Sequence, residues 1–187
     1  MSDAGRSAPG ADSSALMASR AGSGSGASAL AASPAAVRVV AALRRRSWTV
    51  AVAESLTAGL VTDALVRVPG ASAVLRGGVT AYAADVKVGV LGVPGDLVAR
   101  DGVVTGHVAR AMARGACALL HADVGIATTG VAGPGPADGV PTGTVVLAVV
   151  WPDGEATRTW RLAGPRPALR ASAASLAIAL ADGVLGG

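Results

Sequence analysis

The sequence predicts an α/β protein, a three-layer α/β/α domain around a mixed sheet of about five strands. Two observations support this fold class. Between residues 34 and 184, apolar β-type runs alternate with stretches of helical periodicity, which is typical of an α/β domain. The turn Pro152-Asp153-Gly154 joins two β-type runs directly, so the sheet contains an antiparallel hairpin and cannot be all parallel.

Caps, turns and periodicity predict the individual elements. Ser33 is a suitable N-cap followed by proline, and arginines end the first amphipathic helix, where the helix dipole favours them. Thr105 is suited to cap a long helix. The predicted helices cover residues 35–46, the segment from Ser55 to about 67, 84–91, 96–100, 105–120 and 168–184. The predicted strands cover residues 48–52 (running into Ser55), 77–82, 124–129, 144–150 and 155–162.

The chain begins with a segment of low complexity. Residues 1–32 are dominated by Ala, Ser and Gly, and they are predicted to form a disordered tail ahead of a folded domain over residues 33–187. The tail lacks the basic start and apolar stretch of a secretory signal. Its Ser-rich, acid-poor composition also fits an organellar transit peptide, although the same Ala, Arg and Gly bias pervades the folded part.

Composition disfavours several classes of function. No run of about 18 uninterrupted apolar residues is present, so no membrane span is expected. The formal charge is +4, but the one basic cluster, residues 44–46, has no interleaved aromatic side chains to stack on bases, which disfavours nucleic-acid binding. The single cysteine, Cys117, excludes an internal disulfide and fits a cytoplasmic location. His107, His121 and the scattered acidic residues form no ligand cluster, so no metal is expected.

Three features indicate a site at the carboxyl end of the sheet. The hydroxyls of Ser55 and Thr57 lie where an apolar strand meets a helix, a place that collects anions and reactive groups. A glycine-rich loop at residues 129–136 follows another strand. The only tyrosine, Tyr82, and the only lysine, Lys87, follow a third strand. Lysine can lose its proton when buried, whereas arginine effectively cannot, so Lys87 is a candidate base for a serine nucleophile.

Each of these features also has an ordinary structural explanation. Ser55 could be a simple N-cap, and the glycine loop an irregular connection. Lys87 could be an exposed helix residue, and Tyr82 a core aromatic with a solvated hydroxyl. Their coincidence beside Ser55 is what favours catalysis.

The same residues carry a family resemblance. The run Ala-Glu-Ser-Leu-Thr-Ala-Gly-Leu at 53–60 resembles the Ala-Glu-Ser-Cys-Thr-Gly-Gly signature of the CinA C-terminal domain family. That family includes stand-alone nicotinamide-nucleotide amidohydrolases, or NMN deamidases. The resemblance covers residues 34–184 and continues through motifs at 77–82, 87, 91–93, 102–104, 129–134 and 143–145.

The resemblance implies a metal-independent amidohydrolase without a cofactor, acting in pyridine-nucleotide salvage. Its substrate would be a small nucleotide, nicotinamide mononucleotide (NMN), whose carboxamide is hydrolysed to nicotinate mononucleotide and ammonia. Ser55 would be the nucleophile, and Tyr82 and Lys87 would complete a Ser–Tyr–Lys constellation that takes its proton.

Substrate binding is also implied by the resemblance. Backbone N–H groups near Thr57, Ala58 and Gly59 would hold the oxyanion of the tetrahedral intermediate. The loop carrying Thr129, Gly130 and Gly133, together with Arg166, would suit the nucleotide phosphate.

The sequence departs from the family pattern at several positions. Leu56 replaces a cysteine, and Ala58 replaces a glycine, which adds a methyl group where a ligand is expected to approach. Ala83 and Ala84 replace two polar residues, and Val140 stands where a lysine is common. Two functions of different class therefore stay open. One is amide hydrolysis, of NMN or of another amide or ester, and the other is non-catalytic binding of a nucleotide or a partner. The sequence also leaves open whether the chain forms a homo-oligomer.

Overall fold

The computed structural model describes residues 31–186. The predicted disordered tail lies outside these residues except for its last two positions, so its disorder and the predicted domain boundary stay predictions. The described strands are β1 (Val50–Glu54), β2 (Leu75–Thr80), β3 (Val124–Gly130), β4 (Thr144–Trp151) and β5 (Gly154–Arg161). The described helices are α1 (Pro34–Arg46), α2 (Leu60–Val66), α3 (Ala84–Leu91), α4 (Gly95–Asp101), α5 (Gly106–Leu120) and α6 (Arg166–Leu185), with a short 3-10 turn at Ala71–Ala73.

The strands form one mixed sheet in the order β2-β1-β3-β4-β5. Strand β1 pairs in parallel with β2 on one side and with β3 on the other. Strands β3, β4 and β5 pair antiparallel, and β4 and β5 form the hairpin that the Pro152-Asp153-Gly154 turn predicts. The predicted fold class, α/β with a mixed sheet of five strands, is confirmed.

Helices cover both faces of the sheet, because successive residues of a buried strand point to opposite sides. In β1, Val50 and Val52 pack with the helices α1, α2 and α6. Ala51 and Ala53 pack on the other face, against the α3–α5 side of the domain. All of β1 is buried. The carboxyl end of the strand and the serine that follows it therefore lie inside the domain.

Helix α6 has the length and apolar composition of a membrane-crossing helix, but one of its faces lies in the core. Leu169, Ala173 and Ile178 are buried on that face. The helix begins beside the carboxyl end of β1, where Arg170 contacts the loop after that strand. We therefore describe α6 as a core helix that also supplies side chains to this edge.

One predicted element is wrong in an informative way. The helix expected directly after Ser55 begins only at Leu60, and Gly59 rather than Ser55 is its N-cap residue. Residues 55–59 form a loop because the carboxylate of Glu54 takes the first N–H groups of α2, the donors that an N-cap serine would serve. The other helices and strands agree with prediction to within two residues at each end.

Candidate active site

Ser55 is the first residue after β1, and its position is fixed by the neighbouring strand. Its backbone N–H donates to the carbonyl of Thr128 in β3, over 3.0 Å. The side chain is almost buried, with 7% of the residue exposed, yet it lines the main cavity at this edge. A buried hydroxyl that still contacts a cavity is placed to attack a ligand, provided that a base lies beside it.

Lys87 lies beside it. The residue is 1% exposed, and its Nζ donates to Ser55 Oγ over 3.2 Å. Nζ also donates to the backbone carbonyls of Ala81 and Tyr82, each over 2.9 Å. Lys87 points inward because the buried side of α3 consists of Lys87 and Leu91, one helical turn apart.

Burial sets the proton affinity of this amine. Removing the ammonium group from water disfavours its charged form, so the pKa of Lys87 is lowered from its ordinary value. No carboxylate is among the hydrogen-bond partners of Nζ in the described part of the chain. The lowered pKa makes the neutral amine, the form that can accept a proton from Ser55, easier to reach than in an exposed lysine.

Tyr82 has a different place from the one expected. Its side chain is 63% exposed, and its hydroxyl accepts a hydrogen bond from Nη2 of Arg166 over 3.1 Å. Its contact with Lys87 is made by the backbone carbonyl and not by the phenol. The structure thus brings Ser55 and Lys87 into direct contact, whereas Tyr82, which lines the same cavity, has its hydroxyl in contact with Arg166.

The cavity has a volume of about 220 Å³ and opens to solvent. Ser55 and Lys87 lie on one wall, and Arg166 supplies a further cationic side chain. Five aliphatic residues line the cavity as well: Leu56, Val103, Val104, Val131 and Ala132. Gly130, Gly133 and the exposed residues 134–138 complete it. This arrangement suits a ligand with an apolar ring and an anionic group.

Four of the residues predicted to bind substrate do not line this cavity. The Thr57 hydroxyl is buried against Thr128 Oγ1, 2.7 Å away. The Gly59 N–H donates to Glu54 Oε2 over 2.9 Å, so it is not free for an oxyanion. The Thr129 hydroxyl donates to the carbonyl of Val103 over 2.8 Å. Thr57, Gly59 and Thr129 therefore fix the shape of the loops around the site.

Ala58 is the fourth, and it also corrects an expectation. Its side chain is exposed and outside the cavity, so its methyl group does not crowd a ligand there. Its φ of 48° lies in the left-handed region, which an alanine occupies only with strain. A glycine at this position would be favoured for its backbone conformation rather than for ligand access.

Two residues that sequence reasoning missed hold the loop after Ser55. Glu54 is 1% exposed, and its carboxylate accepts four hydrogen bonds of 2.7–3.1 Å from groups at residues 59, 61 and 62. Arg170 donates to the carbonyls of Leu56 and Thr57, over 2.8 and 2.9 Å. A glutamate ending a fully apolar strand was the available signal for Glu54. Arg170 has no comparable signal.

Among residues 31–186, no group of three or more His, Cys, Asp or Glu side chains could hold a metal ion. His107 is paired with Asp101, away from Ser55. The reactive groups that the described side chains bring together at this cavity are a buried serine and a buried lysine in contact.

Comparison with known proteins shows which family the chain is similar to. The sequence profile of the CinA C-terminal domain family matches residues 32–185. A CinA-like protein of Frankia casuarinae is 47% identical over 149 residues, which is 80% of this chain and 34% of that protein. A CinA-like protein of Anaeromyxobacter dehalogenans is 48% identical over 143 residues, 76% of this chain and 35% of that protein. The chain thus spans about a third of the length of these curated relatives.

Solved structures agree with the sequence comparison. A CinA superfamily protein from Klebsiella pneumoniae is 33% identical with a TM-score of 0.77, over 81% of this chain and 96% of that one. A competence/damage inducible protein from Agrobacterium tumefaciens is 31% identical with a TM-score of 0.76, over 82% and 94% of the two chains. The chain belongs to the CinA C-terminal domain family, as its motifs predict.

Proposed function

We propose that this protein hydrolyses the carboxamide of NMN to nicotinate mononucleotide and ammonia, with Ser55 as the nucleophile. The observation that carries the proposal is the contact of 3.2 Å between Lys87 Nζ and Ser55 Oγ at the wall of an open cavity. An isolated serine hydroxyl is a weak nucleophile, and an adjacent buried amine is a recognised way to activate it.

The geometry supports the following sequence of steps. Neutral Lys87 accepts the proton of Ser55 Oγ while Oγ bonds to the amide carbon, giving a tetrahedral intermediate. The carbon–nitrogen bond then breaks, and the Lys87 ammonium returns its proton to the leaving nitrogen, which departs as ammonia. Water attacks the resulting Ser55 ester, again with Lys87 as the base, and releases the carboxylic acid and free Ser55.

The two sides of the cavity support a nucleotide as substrate. The aliphatic wall at Val103, Val104 and Val131 would pack against a pyridine ring. Arg166 would pair with the phosphate, since a guanidinium recognises phosphate oxygens in a fork geometry. The Tyr82 hydroxyl, which accepts from Arg166, would hold that guanidinium in place.

The test is ammonia release by the purified full-length protein, measured with NMN beside NAD, nicotinamide and nicotinamide riboside. We expect release with NMN, and none above background with Ser55→Ala. Ser72→Ala, a change of an exposed serine outside the cavity, is the matched control and should keep full activity. Ammonia release from another amide but not from NMN would show that this amide, and not NMN, is the substrate. Tight nucleotide binding without turnover of any amide would favour a non-catalytic relative.

A further inference from the structure

Two carbonyl groups and an N–H group of the loop after β1 are held by side chains from outside the loop. Its carbonyl groups at Leu56 and Thr57 accept from the guanidinium of Arg170 on α6. Its carboxyl-terminal N–H, from Gly59, donates to the buried carboxylate of Glu54. The two side chains come from different elements and bear opposite charges, and each makes charge-assisted hydrogen bonds, which are stronger than neutral ones.

This arrangement leaves a defined set of donors unused. The Ser55 N–H is occupied by the Thr128 carbonyl, and the Gly59 N–H by Glu54. Within residues 31–186, the N–H groups of Leu56, Thr57 and Ala58 have no hydrogen-bond acceptor. Leu56 alone of these three lines the cavity that Ser55 faces. Its N–H is also the first one after the nucleophile, so it is the loop donor nearest in sequence to the reacting oxygen.

We propose that Arg170 and Glu54 are positioning residues, which fix the loop 55–59 so that the Leu56 N–H donates to the oxyanion formed on Ser55. The proposal rests on Ser55 as the nucleophile of the proposed function. The Leu56 carbonyl that Arg170 holds belongs to the planar peptide unit next to the one that carries the Leu56 N–H. A rotation of the held unit would therefore turn the Leu56 backbone and move that donor. Neither residue touches substrate in this account.

The same contacts predict how the loop fails. Without the guanidinium, the carbonyls of Leu56 and Thr57 lose their charged donor. The loop is then held only by its remaining hydrogen bonds, such as those to Glu54 and Thr128, and its middle is less firmly fixed. Binding of the ground state does not depend on the oxyanion donor, so turnover should fall while the Michaelis constant stays close to its normal value. A purely structural role would instead lower the folded fraction and leave the turnover of the folded molecules unchanged.

The experiment uses the full-length protein with Arg170→Met and Arg170→Lys. Arg170→Met should lower kcat about a hundredfold, the effect expected of a misplacement near 1 Å, with KM changed less than about threefold. Arg170→Lys keeps the charge but can reach only one carbonyl at a time, so its kcat should lie between those of Arg170→Met and wild type. Arg38→Met is the matched control, because Arg38 pairs with Asp182 of α6, but its side chain is 61% exposed and does not line the cavity of Ser55.

A second readout separates this proposal from the identity of the substrate. A fluorophosphonate probe bonds to Ser55 Oγ with loss of fluoride, and its phosphoryl oxygen takes the place of the oxyanion. The rate of labelling, followed by intact mass, should fall in Arg170→Met and in Glu54→Gln, but not in Arg38→Met. If the probe labels Ser55 of the wild-type protein but NMN is not hydrolysed, the proposed substrate is contradicted. The labelling rates of the variants would then still test the positioning role of Arg170 and Glu54.

Four outcomes would overturn the inference. One is a folded Arg170→Met protein with wild-type labelling and kcat. The second is a change of KM in Arg170→Met without a fall in kcat. The third is a fall in kcat no larger than the drop in folded fraction measured by thermal unfolding. The fourth is a wild-type protein whose Ser55 does not react with the probe. If Arg170→Met fails to fold, Arg170→Lys and Glu54→Gln decide the matter by the same measurements.

Discussion

Two loops follow the neighbouring parallel strands β1 and β3, and they differ in burial and in internal hydrogen bonding. The loop at 55–59 is mostly buried and is held by the side chains of Glu54 and Arg170, which lie outside it. The loop at 131–143 is exposed over residues 134–139. Within it the Thr142 hydroxyl donates to the Gly135 carbonyl, and Arg166 of α6 donates to the Gly133 carbonyl from outside.

The two loops should control different properties of the enzyme. A loop held from several sides keeps a nucleophile and its oxyanion donor in fixed geometry, as catalysis requires. An exposed, glycine-containing loop can adapt to a ligand, so it suits binding. Changes at the first loop and at Lys87 should therefore act on turnover, and changes at the second should act on substrate affinity.

The largest effect is expected at Lys87. Lys87→Arg keeps the positive charge but removes a group that can become neutral, so kcat should fall at least about a hundredfold. Steady-state ammonia release measures the change, and circular dichroism checks that the variant is folded. A variant within a few-fold of wild type would mean that Lys87 is not the base, and Tyr82 would be the next candidate.

The pH dependence of kcat also tests Lys87 as the base. Burial lowers the pKa of Lys87, and the reaction needs its neutral form, so kcat should rise with pH and level off once the amine is deprotonated. Below that pKa the slope should be about tenfold per pH unit. The midpoint of the rise should lie below about 10.4, the ordinary pKa of a lysine. A rate that falls as pH rises over this range would contradict a lysine base.

A smaller effect, on affinity, is expected on the side of the second loop. Arg166→Met should raise KM for NMN at least about tenfold, the lower end of the roughly 1.5–3 kcal/mol that a hydrogen bond to a charged group contributes. Neither kcat nor the KM for nicotinamide riboside, which lacks the phosphate, should change much. An equal loss with both substrates would show that Arg166 acts through its contacts with Tyr82 and the Gly133 carbonyl, and not through the phosphate.

The smallest effect is expected at Ala58. Ala58→Gly relieves a left-handed alanine, worth about 1–2 kcal/mol, but adds chain entropy of about 0.5–1 kcal/mol, so the gain in unfolding free energy should be about 0.5 kcal/mol. Urea unfolding measures it. KM should stay unchanged, because Ala58 lies outside the cavity. A clear fall in KM would show that the methyl group does obstruct the substrate.

The sequence was sufficient to predict the sheet, the hairpin and the pair Ser55–Lys87, because these depend on local patterns and on one lysine among many arginines. It was not sufficient for the partners of the loop. Arg170 contacts Leu56 across 114 residues, and nothing local distinguishes it from the other arginines. Thr57 and Thr129 looked like ligand groups, but packing turns their hydroxyls toward other parts of the protein.

If Ser55 and Lys87 act as one catalytic unit, a comparison of single and double variants should show it. Turnover of NMN is measured for Ser55→Ala, Lys87→Arg and the double variant, each shown to be folded. Members of one unit are strongly non-additive, so the double variant should be little slower than the worse single variant. If the two losses instead multiply in the double variant, or if either single variant turns over normally, Ser55 and Lys87 do not form the catalytic pair.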